Sequence, residues 1–100
     1  MYDRTVNGNL EDLAGATLDD VTVDWRNGIV MISFLASPKT RETSAIRAID
    51  FTRVEVPRVA KASRKVKTAS RKGDVVEIQM ESGEVLRVQS ASFSFDLLGG

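Results

Sequence analysis

The segment RVAKASRKVKTASRK, Arg58 to Lys72, carries seven cationic side chains and no carboxylate, in a chain whose formal net charge is zero. Whether it coils or extends separates an α+β domain from a mainly β one. As a helix it is coherent. Val59, Ala62, Val66 and Ala69 fall at three- and four-residue spacing and line one face. Pro57 suits the first turn and Gly73 the C-terminal stop. The cations then form the solvent face. Against this, Ser63 and Ser70 are poor interior helix residues and the apolar stripe is thin. As extended chain, Val66 is the only strong core residue after Val59.

The surrounding sequence favours strands. In VTVDWRNGIVMISFL, Val21 to Leu35, the Asn27-Gly28 pair suits a two-residue type I′ turn, whose two positions need positive φ. That turn sets Trp25 opposite Val30, Val23 opposite Ile32 and Val21 opposite Phe34, all apolar. The other face receives Asp24, Thr22 and Asp20 and is mostly polar. Trp25 is therefore expected in the core. In VVEIQMESGEVLRVQ, Val75 to Gln89, a Ser82-Gly83 turn would mix the faces. A three-residue loop, Glu81-Ser82-Gly83, with Gly83 in a left-handed bulge, pairs Ile78 with Leu86 and Val76 with Val88. It also places Glu77 beside Arg87.

Two further runs need irregularities. Ile46 and Ile49 differ in parity, as do Phe51 and Val54, so a bulge is expected near Asp50 to Thr52 before Pro57 closes the run. Phe93, Phe95 and Leu97 share a face, but their parity differs from that of Leu86 and Val88. A bend is expected near Gln89 to Ser92. NLEDLAGATL suits a short helix capped by Asn9 and stopped by Gly15. The expected fold is one domain over residues 1–100, mainly β. About six short antiparallel strands form a small sandwich or open barrel, with one short N-terminal helix. The alternative is α+β, with a second helix at about 58–72.

Val56-Pro57-Arg58, followed by EIQMESGEVLRV at Glu77 to Val88, resembles a group of small uncharacterised bacterial proteins. These carry a V-P-R segment, then P-W-G-P-S, then an E-M-Q-S-G-D hairpin. The likeness covers the C-terminal half, and its motifs are a strand end and a hairpin turn. Ala60-Lys61-Ala62 stands near the place of the Pro-Trp-Gly element. The resemblance implies an extended path through Ala60 to Val66, and it implies no activity.

Composition narrows the function. The chain has no cysteine, which removes disulfides and thiolate metal sites, and no histidine, which removes the usual general base and the commonest metal ligand. Nine serines are present, but none has a histidine to activate it, and a Ser-Lys dyad around Ser63, Lys65 and Lys67 has no supporting motif. Asp19, Asp20 and Asp24 follow no calcium-loop spacing. The terminal Leu97-Leu98-Gly99-Gly100 resembles the tails of ubiquitin-like proteins, yet it follows directly from a strand and leaves little free chain. No cofactor is expected. The N-terminal residues lack a signal-peptide core, and the chain reads as cytoplasmic and of bacterial type, with no membrane partner.

The zero net charge hides an asymmetry. Residues 1 to 37 carry six acids and two bases, residues 53 to 72 eight bases and one acid, and residues 73 to 100 five acids and one base. The candidate partner-binding residues are Arg58, Lys61, Arg64, Lys65, Lys67, Arg71 and Lys72. The expectation is a non-enzymatic interaction module that uses this band on an acidic protein surface or on a second copy of itself. The second reading is a nucleic-acid-binding β-domain making phosphate contacts only. No aromatic residue lies between Phe51 and Phe93 to stack on bases, so this reading ranks lower.

Overall fold

A hairpin is specified by its loop, and both predicted hairpins form. The structure, a computed structural model, describes residues 10–36, 42–56 and 64–99. Six strands run through them: β1 (Leu18–Asp24), β2 (Ile29–Phe34), β3 (Thr43–Glu55), β4 (Val66–Lys72), β5 (Val75–Met80) and β6 (Val85–Gly99). They form one antiparallel sheet in the order β1-β2-β3-β6-β5-β4.

The β5–β6 hairpin matches the sequence reading pair for pair. Ile78 faces Leu86, Val76 faces Val88 and Glu77 faces Arg87. Gly83 takes a φ of 98°, and the amide of Met80 donates to the carbonyl of Glu84 to close the loop. The β1–β2 hairpin keeps its faces but not its register. Val23 pairs with Val30 and Val21 with Ile32, so the loop spans Trp25 to Gly28 instead of two residues. Among the described residues other than glycine only Asp50 has a positive φ, so Asn27 does not enter a type I′ turn; Gly28 alone does, at 70°. The cause is Asp24, whose carboxylate accepts from the Asn27 amide at 3.1 Å and from the Asn27 side chain at 2.8 Å. Those bonds fold the four-residue loop. A two-residue slip leaves every strand side chain on its original face, because strand side chains repeat every two residues. It does carry Trp25 out of the strand.

The expected irregularities are present. In β3 Asp50 adopts a φ of 60°, and the register against β6 shifts between Phe51 and Arg53. In β6 the buried positions Leu86, Val88 and Ser90 give way to the half-buried Phe93 and Phe95. Both strands continue through their bends, so β3 has 13 residues and β6 has 15, longer than the short strands expected.

The helical alternative for 58–72 is overturned where it is described: residues 66–72 are the strand β4. Its apolar stripe has another cause. A bulge between Val66 and Thr68 inserts Lys67, and this lets Val66 and Ala69, three apart, both face inward. Residues 57–63, with Pro57, Val59 and Ala62, lie outside the described residues. The N-terminal helix is a single 3-10 turn, Leu10–Leu13, ended by Gly15 at a φ of 89°. Its expected cap, Asn9, lies outside the described residues.

The sheet curls until its edges touch. Thr17 bridges Lys65, the amide of Leu18 donates to the carbonyl of Arg64, and that of Val66 to Ala16. The result is an open barrel around Ile32, Phe34, Ile46, Ile78 and Leu86, with Leu13 of the 3-10 turn buried against them. Among the described residues no helix is long and apolar enough to cross a membrane.

Gly28 is the position where the loop depends on backbone freedom. A Cβ there would meet Asp50 Cα at 3.7 Å, an ordinary contact, so the cost of a side chain lies in the positive φ and not in crowding. Gly28→Val is expected to destabilise the domain by about 1–3 kcal/mol. Urea unfolding measures it, and an unchanged midpoint would contradict the loop conformation.

Candidate functional site

The strand β4 follows from its neighbours. Val66 and Ala69 are drawn into the core, and the residues between and after them are left outside. Arg64, Lys65, Lys67, Arg71 and Lys72 are all exposed. Arg58 and Lys61, the other two candidates, lie outside the described residues. The structure therefore brings five of the seven onto one edge strand and its approach. Lysines on a sheet edge also discourage pairing with other chains, so part of their presence is explained by the edge alone.

The adjacent strands handle their charges differently. On the outer face Arg87 donates to Glu77 at 2.7 Å and to Glu55 at 3.4 Å, and Arg53 contacts Glu55 at 3.0 Å. Glu77, followed by Glu55, holds the Arg87 guanidinium above its ordinary pKa. The Glu77–Arg87 pair was legible in the sequence. These ion pairs are exposed and contribute a few tenths of a kcal/mol each, but they match Arg53 and Arg87 with carboxylates. On β4 and its approach, none of Arg64, Lys67 and Lys72 makes an ion pair with a described residue. Thr68 bonds Gln79 at 3.2 Å, a neutral contact.

Arg71 is placed differently from the other cations. Its Nε donates to the carbonyl of Gly73 at 2.9 Å, and its guanidinium lies 5.0 Å from the centroid of the Phe93 ring. It lines a cleft of about 180 Å³ together with Leu10, Ile46, Val76, Phe93, Ser94 and Phe95.

Trp25 is a correction. Expected in the core, it is 77% exposed, the largest exposed apolar side chain described. Its ring meets Phe51 edge-on at 5.2 Å. The loop beneath it is fixed from two sides, by Asn27 on Asp24 and by the amides of Asp50 and Phe51, which both donate to the carbonyl of Gly28. A rigidly held, exposed Trp is the usual form of a binding anchor. The signal for it was present in Asp24-x-x-Asn27: an Asp three residues before Asn starts a longer loop by accepting its amide.

No protein-family model matches the chain, and no curated protein matches it. Among solved structures it is similar to an uncharacterized protein from Neisseria gonorrhoeae, at 11% identity over 85% of this chain and 93% of that one, with a TM-score of 0.55. At that identity the likeness shows the fold alone.

Two measurements check the loop. Acrylamide should quench Trp25 fluorescence in the native protein nearly as well as in the unfolded chain; strong protection would return Trp25 to the core. The second concerns Asp24, whose pKa lies below its ordinary 3.8, chiefly through the side-chain hydrogen bond from Asn27 and then through the Asn27 amide. A depressed carboxylate adds stability that is present above the unfolded pKa and is lost as pH falls through the folded one. Asn27→Ala should raise the Asp24 pKa toward the ordinary value in an NMR titration and remove that acid-limb contribution. An unmoved pKa would show that Asn27 does not set it.

Proposed function

We propose that this chain is a small non-enzymatic interaction module that docks on an acidic protein surface along β4. One observation carries the reading. On the outer face Arg53 of β3 and Arg87 of β6 are matched by Glu55 and Glu77, whereas the described cations Arg64, Lys67 and Lys72 have no such match and lie together along β4 and its approach. A strip of unmatched, exposed positive charge steers and orients an acidic partner. The absence of histidine and cysteine from the sequence supports binding over catalysis. Phosphate groups would meet the same cations, which keeps nucleic acid as the second reading. β4 itself carries no aromatic residue, and the Phe93 ring beside it lies under Arg71, which favours protein.

The test compares wild type with the Arg64→Gln/Lys67→Gln/Lys72→Gln variant. Thermal unfolding should be nearly unchanged, because exposed cations without partners contribute little to the fold. Binding to polyglutamate should weaken by at least about tenfold, as expected when several exposed charge contacts of a few tenths of a kcal/mol to 1 kcal/mol are lost together. Both proteins are measured at about 50 and 200 mM salt, with duplex DNA as the comparison ligand. Unchanged affinity in the variant would exclude β4. Tighter binding to DNA than to polyglutamate, with a steep salt slope, would replace the protein reading with the nucleic-acid one. Sedimentation over a concentration series detects self-association.

A further inference from the structure

The cleft beside β4 combines a strand edge with which no described strand pairs, a mainly apolar lining and one oriented cation. β6 pairs with β3 along most of its length, but with β5 only over residues 85–89. The β5 pairing ends where the amide of Ser90 donates to the carbonyl of Asp74, in the β4–β5 turn. Beyond that point, among the described residues, no strand pairs with the second edge of β6. The cleft opens there. Phe93, Ser94 and Phe95 of β6, Ile46 of β3, Val76 of β5 and Leu10 line it together with Arg71. Arg71 stands over Phe93.

We infer that this cleft receives one apolar side chain from an extended acidic segment of the partner protein, with an adjacent carboxylate on Arg71. The inference rests on the β4 docking reading and adds to it the chemistry of the partner. Four observations support this occupant. The cleft volume of about 180 Å³ lies below the range of roughly 300–1,000 Å³ that holds a small-molecule ligand, and suits a single side chain. The Arg71 Nε is spent on Gly73, which fixes the guanidinium plane, while its terminal nitrogens have no carboxylate among the described residues. A planar guanidinium with free terminal nitrogens binds a carboxylate through two parallel hydrogen bonds. The edge of β6 with which no described strand pairs can accept an extended backbone as an added strand, so the segment needs no structure of its own. The neighbouring cations on β4 favour acidic residues on either side of the apolar one. A purely acidic peptide would satisfy β4 and leave the cleft empty.

The experiment uses the full chain and two synthetic ten-residue peptides of Glu and Ser, identical except that one has Leu at its centre where the other has Ser. Isothermal calorimetry should give the Leu peptide a Kd about tenfold lower, the order expected for taking one leucine side chain out of water. Leu10→Trp, a change at the half-buried rim, should fill the cleft. It should abolish the preference for Leu. Equal affinities for the two peptides in wild type would overturn this inference while leaving β4 docking intact. Failure of both peptides to bind would overturn both. If deletion of residues 1–9 is required before the Leu peptide is preferred, the occupant is the chain's own N-terminus and the inference fails. Should Leu10→Trp not fold, the wild type still decides. NOEs from the peptide Leu methyls to the Phe93 and Phe95 rings are expected, and their absence from a saturated complex overturns the placement.

Discussion

One buried hydroxyl joins the two halves of this sheet. β6 must serve β5 with Leu86 and Val88 and then serve β3 with Phe93 and Phe95, which lie at the opposite parity. A regular strand cannot place both sets inward, because its side chains alternate faces strictly. The change of parity occurs at Ser90, which is 1% exposed. Its amide donates to Asp74 of the β4–β5 turn, and its Oγ lies within hydrogen-bonding distance of the carbonyls of Ile49 and Ser92, at 2.5 and 3.0 Å. The hydroxyl has one proton and so donates to one carbonyl at a time, while its lone pair accepts from the amide of Ser92 at 3.3 Å. Ser90 thereby satisfies backbone groups that the irregularity would otherwise leave unpaired. Because Ile49 precedes the positive-φ Asp50, the bends in β3 and β6 lie side by side and turn together. The Trp25 loop rests on the same place through the bonds of Asp50 and Phe51 to Gly28.

What could be read from the sequence was governed by short-range chemistry. The β5–β6 hairpin was fully legible, since one glycine selects the loop and four apolar residues must share a face. The β1–β2 hairpin was legible in its faces and not in its register. Alternation is blind to a slip of two, and the deciding term was the Asp24–Asn27 hydrogen bond, weighed against the Asn-Gly preference. That one choice moved Trp25 from core to surface and hid the most exposed aromatic of the described residues. In β4, Val66 and Ala69 have helical spacing, but a bulge produces the same spacing in a strand, so periodicity could not separate the two. The Arg71 cleft was illegible throughout. It requires Leu10, Ile46, Val76 and Phe93 to converge, and no local pattern reports which distant segments meet.

The distribution of charge bears on the partner as well as on the site. The two edge strands of the sheet carry opposite signs: Asp19, Asp20 and Asp24 on β1, and Lys67, Arg71 and Lys72 on β4. Where these edges meet, at Thr17 and Lys65, the chain has already used the pairing on itself. A symmetric dimer through β4 would set cations against cations, the arrangement that lysine-bearing edges are suited to prevent. A β1–β4 contact between copies would match the signs, but it is heterologous: each copy would still present a free β1 and a free β4, and growth would continue to a ring or a filament. An acidic partner of another sequence, as proposed, would meet β4 without either difficulty: it would end the edge, neutralise the strip and need no second copy. On the proposed docking reading, the charge pattern that makes β4 a poor surface for its own kind would be the one that fits it to a different acidic chain.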